Sequence, residues 1–147
     1  MEIKQAPPMT VLCFSAETTL KELHQFSADT LYNEAVRLAL NVTGSVHWTY
    51  VGVNSDPDHR FWLEIALPVN RINGEPHGAS FKHYKPFRYV GTIHYGSWET
   101  LGSAYPPLLN HIQQAGHKLT SVCREVYSFW DMTQPENNIT EIQIGVD

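Results

Sequence analysis

Leu63-Glu64-Ile65-Ala66-Leu67-Pro68-Val69 returns 77 positions later as Thr140-Glu141-Ile142-Gln143-Ile144-Gly145-Val146, with Glu64 over Glu141, Ile65 over Ile142, Leu67 over Ile144 and Val69 over Val146. The same offset, without a gap, lays Leu31 on Leu108 and Tyr50 on Tyr127. A register held over this length is the mark of an internal duplication.

Working outward from these terminal strands, the segment before each one has the period of two that a half-buried strand requires. Val46, Trp48 and Tyr50 alternate with His47, Thr49 and Val51, and the second copy runs from Val122 to Trp130. Turn-forming residues separate each pair, Asn54 to Asp58 in the first copy and Asp131 to Asn138 in the second, so each pair predicts a hairpin with a long loop. Further upstream the spacing changes to three and four. Leu20, Leu23, Phe26, Leu31, Ala35, Leu38 and Ala39 predict one long helix or two short ones, and Leu101, Tyr105, Leu108, Leu109 and Ile112 predict a helix over 98–115 with Gly116 at its C-cap. Pro106-Pro107 predicts a kink or a restart inside that helix. A strand opens each copy, Met9 to Phe14 after Pro7-Pro8 and Phe81 to Tyr95 around Pro86.

The predicted fold is therefore α+β: a single domain over 1–147 made of two β-α-β-β units, about 7–70 and about 79–147. Neither unit can bury a sheet face alone. The strands are expected to join in one mainly antiparallel sheet, with both helices on one face and an approximate two-fold axis between the halves.

Composition narrows the function. The chain has 147 residues, 42% hydrophobic and 17% charged, and a formal net charge of −5, which fits a folded soluble domain. The ten Lys and Arg form no basic stripe, so nucleic acid is not an expected partner. No run approaches the ~18 apolar residues of a membrane span, and the N-terminus lacks a signal-peptide core, so a cytoplasmic protein without membrane contact is expected. Cys13 and Cys123 are isolated thiols, expected to be reduced and buried. Eight His show no metal-ligand spacing; no metal and no cofactor are expected, and no phosphate loop or nucleophile elbow is present. His47 and His94 read as outward-facing strand residues. Four Trp, seven Tyr and six Phe exceed the needs of a small core, and aromatics also line pockets for flat organic ligands.

The duplication breaks its own symmetry at one chemically pointed place. The 77-residue offset pairs Trp48 with Glu125, an indole with a carboxylate. If Tyr50 and Tyr127 share their face, strand alternation produces an aromatic cage with one acid. A carboxylate among aromatics is costly to leave without a partner. A flat cation would meet ring stacking, a cation–π attraction of roughly 0.5–2 kcal/mol and an opposite charge. The alternative is a structural ion pair between Glu125 and a nearby Arg or Lys, although Arg124 should point to the opposite face. Glu64 and Glu141, at matching places on the last strands, read as structural.

Gly96-Ser97-Trp98-Glu99, the helix to Ile112, Arg124-Glu125-Val126-Tyr127 and the terminal strand resemble the second half of GyrI-like domains, the effector-binding domains of AraC- and MerR-type multidrug regulators. Trp48-Thr49-Tyr50 and Leu63 to Val69 resemble the family's first repeat. The resemblance covers nearly the whole chain and implies a duplicated β-α-β-β fold with a pocket for hydrophobic, often cationic small molecules. It implies that Glu125 contacts the ligand and that Trp98, Tyr105 and Tyr127 line the pocket. Pro106-Pro107 and Gly145 depart from the family pattern.

The expected function is binding of a hydrophobic small molecule, neutral or cationic, in an aromatic pocket between the two repeats for sensing, sequestration or toxin protection, with Glu125, Tyr127, Trp48, Tyr50, Trp98 and Tyr105 as ligand-binding residues. A DNA-binding domain is not expected beside it. The resemblance also implies two alternatives: a hydrolase of cyclopropane-type electrophilic toxins with Glu125 catalytic, and an inhibitory protein-interaction partner. A homodimer or a protein partner stays open alongside the small-molecule ligand.

Overall fold

In the computed structural model, which describes residues 2–147, the chain runs in order through β1 (Ile3–Ala6), β2 (Met9–Thr18), a 3-10 helix (Leu20–Gln25), α1 (Asp29–Arg37), β3 (His47–Val51) and β4 (Phe61–Pro68). The second half follows with β5 (Ser80–Tyr84), β6 (Phe87–Tyr95), a 3-10 helix (Trp98–Ala104), α2 (Tyr105–Gln114), β7 (Leu119–Phe129) and β8 (Ile139–Val146). The eight strands form one antiparallel sheet, ordered β1-β6-β8-β7-β3-β4-β2-β5, that curls into a half-barrel. That order reads the same from either end once the repeats are exchanged, so the predicted α+β duplication is present.

Pro8 and Pro86, 78 positions apart, each separate a short edge strand from a long one. Proline removes a ladder donor and restricts the residue before it, so neither copy continues as one strand through this point. The segment predicted as one strand over 81–95 is consequently two. Its first piece, β5, pairs with β2 of the first repeat, while β1 pairs with β6 of the second. Each β-α-β-β unit thus lends an extra edge strand to its twin, and the exchange covers both ends of the sheet.

The register confirms the duplication at the hydrogen-bond level. Trp48 opposes Ile65 on β3 and β4, and Glu125 opposes Ile142 on β7 and β8, each pair moved by 77. Between the repeats, β3 pairs with β7 so that Trp48 opposes Glu125 itself. The pseudo-two-fold axis passes between these two residues.

Side chains alternate across the sheet. Leu12, Leu63, Ile65, Ile142 and Ile144 point to the front face, where they pack with Leu31 and Ala35 of α1 and Leu108 and Ile112 of α2 in the main core. The amphipathic segment 18–40 resolves into two short elements, with Thr19 capping the first by accepting from the Glu22 N–H. The segment 98–115 likewise restarts: Pro106 and Pro107 fall in the first turn of α2, where the N–H groups have no intrahelical acceptor. Both helices end in the same motif. Gly116 (φ +78°) donates to Gln113 and His117 to Ile112, while Ala39 (φ +55°) donates to Val36 and Leu40 to Ala35.

The two histidines read as solvent-facing are not. His47 is 7% exposed on the rear face, because the curl of the sheet covers that face near the axis. His94 points toward the second 3-10 helix, with Nε2 at 3.0 Å from Thr100 Oγ1. Cys13 and Cys123 are both free and buried. No helix among the described residues is long and apolar enough to cross a membrane.

Candidate ligand-binding site

A cavity of about 1370 Å³ lies over the front of the sheet. Its floor is Trp48, Tyr50, Cys123, Glu125 and Tyr127 from the two axial strands. One wall comes from the first repeat (Leu20, Leu23, Phe26, Tyr32), the other from the second (Trp98, Leu101, Tyr105, Leu109). Leu20 and Trp98 each open the 3-10 helix of their repeat, so the walls are symmetric in position and unlike in chemistry. All six residues singled out from the sequence line this one space.

Glu125 is 8% exposed and accepts three phenolic hydrogen bonds. Tyr50 donates to Oε1 at 3.0 Å and Tyr127 to the same oxygen at 2.6 Å, while Tyr105 reaches down from α2 to donate to Oε2. The three phenols come from three separate elements, β3, β7 and α2. Burial, followed by the Glu125 charge, pushes the Tyr50 and Tyr105 hydroxyls far above their ordinary range; for Tyr127 burial is followed by Tyr50 and then Glu125. They therefore stay protonated and act as donors. Burial and then Glu125 also push the Cys123 thiol up to about 12, which removes it as a nucleophile at neutral pH.

A carboxylate offers about four lone-pair sites, and three are used here. The remaining one is on Oε2. Among the described residues no ion pair involves Glu125, and no Lys or Arg lines the cavity. The structural ion pair weighed for Glu125 is absent from this geometry, and Arg124 projects to the rear face as strand alternation requires.

Aromatic edges complete the floor. Tyr127 makes edge contacts with Trp48 at 6.1 Å and with Trp98 at 5.3 Å between ring centroids. Trp98 remains 39% exposed at the rim, beside Trp130 at 40% and Met132 at 74%, so the mouth is apolar as well.

Sequence reasoning missed Leu20, Leu23 and Phe26, which it assigned only to a helix core; the gapless 77-residue offset lays Leu20 on Ser97 rather than on Trp98, so it did not mark them. It also missed Trp130, Met132 and Asp29. Trp130 and Met132 flank a loop without periodicity, so nothing local marked them. Glu64 lies on the rear face and accepts from Ser15 (2.7 Å), Lys82 (2.6 Å) and Tyr84; burial raises its carboxyl, but these three bonds together hold it below the usual range.

No protein-family model matches the chain, and no curated protein does. Its likeness is to solved structures. The crystal structure of the EcmrR C-terminal domain superposes with a TM-score of 0.79 at 19% identity, covering 99% of this chain and 96% of that one. In the cryo-EM structure of the EcmrR–DNA complex the TM-score is 0.81 at 20% identity, and this chain spans 56% of that one, about half its length. SAV2435, solved bound to tetraphenylphosphonium, gives 0.64 at 15% identity over 99% of this chain and 93% of that one. A hydrolase encoded by lin2189 from Listeria innocua gives 0.71 at 13%, covering 99% and 91%. At these identities the likeness establishes a shared fold, the one found in the C-terminal domain of EcmrR.

Proposed function

We propose that the chain binds a bulky, lipophilic, monovalent cation in the front cavity, with Glu125 as its charge partner and Trp48, Tyr50, Trp98, Tyr105 and Tyr127 as its aromatic surround. The observation that carries this reading is a buried carboxylate on the floor of a large apolar cavity, dressed by three tyrosine hydroxyls and, among the described residues, by no cation. Hydroxyl donors spread the carboxylate's charge but leave it negative, and the apolar walls reward removal of ring and alkyl surface from water. A cation supplies the missing opposite charge. The tetraphenylphosphonium in SAV2435 is a cation of this description, held by a protein of the same fold. Sensing and sequestration both follow from such binding; a regulatory role would parallel the fold's occurrence in EcmrR.

Titrating tetraphenylphosphonium against tryptophan emission tests the reading. Trp48 and Trp98 should be quenched, and Glu125→Gln should weaken the cation by about tenfold or more while leaving triphenylphosphine oxide, a neutral compound of similar shape, nearly unchanged. Equal losses for both probes would remove Glu125 as the charge partner.

One observation favours a second reading, hydrolysis of a cyclopropane-type electrophile. The open lone pair on Glu125 Oε2 can take a proton from a substrate or a water, as a general base must. Turnover by the wild type that Glu125→Gln abolishes without unfolding would decide for it.

A further inference from the structure

The rear face of the sheet carries a polar row that the front cavity does not use. Register places Ser15, Glu64, Thr49, Arg124, Gln143 and Gly91 side by side across six strands. Glu64 is satisfied, by Ser15 of this row and by Lys82 and Tyr84 of β5. Arg124 is not: it is 8% exposed, forms no ion pair among the described residues, and its Nε and Nη1 have no hydrogen-bond partner.

Its neighbours are unsatisfied too. Thr49 Oγ1, Gln143 Oε1 and His47 Nδ1, on residues 8%, 5% and 7% exposed, lack partners. Thr49 and Gln143 flank Arg124 directly in the row, and His47 is its equivalent under the 77-residue offset, diagonal across the axis. Five of the seven buried side-chain atoms without a partner among the described residues therefore collect at one place. Buried polar groups are ordinarily paired, and an unpaired buried charge is the costliest exception.

The aromatic rings over Arg124 do not remove this cost. The guanidinium carbon lies 4.0 Å from the Phe87 ring centroid and 5.0 Å from that of Tyr84. Rings attract a guanidinium through its flat face. Its N–H groups radiate in the plane and still require acceptors at the edge. Glu125, next in the chain, points to the opposite face and cannot serve. Glu64 is already engaged by Lys82, Tyr84 and Ser15. His47, held down to about 4 first by burial and then by the Arg124 charge, remains a neutral ring.

We propose that Arg124 is the centre of a second ligand site, on the rear of the sheet, for a small monovalent anion: a carboxylate group or a halide bound at the guanidinium edge beside Thr49. The Thr49 hydroxyl rotates to donate to the same anion. Phe87 and Tyr84, on either side of the exposed Lys85-Pro86 turn, lay their rings against the guanidinium and leave its edge for the anion. This site is independent of the front cavity and of what that cavity binds.

Thermal melting with sodium formate or sodium bromide, exchanged against sodium HEPES at constant ionic strength, tests the proposal. The wild type and Glu125→Gln should both gain about 3–6 °C in Tm at a tenfold excess over Kd, and Arg124→Gln should gain nothing. No response in the wild type, or the same response in Arg124→Gln, overturns the site. Should Arg124→Gln fail to fold, the wild type alone decides by NMR. Formate should shift the Arg124 Nε–H and the Thr49 and Gln143 amides and leave the Trp98 and Tyr105 signals in place; unmoved Arg124 signals overturn the proposal.

Discussion

Trp48 and Glu125 stand opposite each other across the β3–β7 ladder, and at 77 positions apart they are the one pair in that register which the pseudo-two-fold axis exchanges. A perfect duplication would set like against like at this point. Two glutamates would repel on a shared floor, and two indoles would carry no charge. One of each gives a surface that is apolar and negative at once. Replacing Trp48 with Leu keeps the site dry but removes the π-face, so tetraphenylphosphonium affinity should fall about three- to tenfold with Glu125 intact. Isothermal titration of the two proteins measures it.

The three tyrosines act through Glu125, and a double-mutant cycle exposes this. Tyr50→Phe in the wild type deletes a bond to a buried carboxylate and should cost about 1.5–3 kcal/mol in urea unfolding. In a Glu125→Leu background the same change should cost under about 0.5 kcal/mol, because the partner that made the hydroxyl valuable is gone. Equal costs in the two backgrounds would mean that Tyr50 is held by something else.

Stability should fall as pH drops, in two windows. His47 is pushed from 6.5 down to about 4, first by burial and then by Arg124, so between those values the unfolded chain binds a proton that the folded one refuses. Its contribution is complete above about 6.5 and is lost as pH falls toward 4, by roughly 3 kcal/mol at most. Glu34 is held down to about 2, first by its Arg37 bonds and then by the His77 N–H, so its contribution is present above 4.5 and is lost from there toward 2. Urea midpoints followed from pH 7 to 3 should be flatter above pH 4 in His47→Gln and flatter below it in Glu34→Gln.

Ala39 occupies the left-handed position that Gly116 fills in the second repeat. A Cβ in that conformation costs about 1–2 kcal/mol, offset by about 0.4–1 kcal/mol of unfolded-chain entropy that a glycine would add. Ala39 is exposed, so Ala39→Gly removes strain without opening a cavity. The variant should melt a few degrees higher, and a lower Tm would show that the helix end relaxes without glycine.

Most of the architecture was legible because it is written in repetition. Leu31 and Leu108, or Ile65 and Ile142, share a place in the core and so keep matching residue types at a fixed offset. The edge strand β1 was not legible: Ile3-Lys4-Gln5-Ala6 is too short to show a period, and its partner β6 lies in the other repeat. His47 misled for a related reason. Alternation correctly placed it on the face opposite Trp48, but only the curl of the sheet made that face dry.

The sequence by itself determined the doubled unit, the strand parity that gives Trp48 and Tyr50 one face and Glu125 and Tyr127 another, and the single place where an acid interrupts the repeat. Those are local facts, fixed by the period of the backbone. The tertiary structure alone decided that these two faces are one, that Trp48 meets Glu125 on the axis, and that Tyr105 descends from α2 to complete the carboxylate's hydrogen bonds. It alone left Arg124 buried behind them without an acceptor. Such relationships depend on which distant strands pair and how far the sheet curls, and those are set by burial summed over the whole chain rather than by any segment's own pattern.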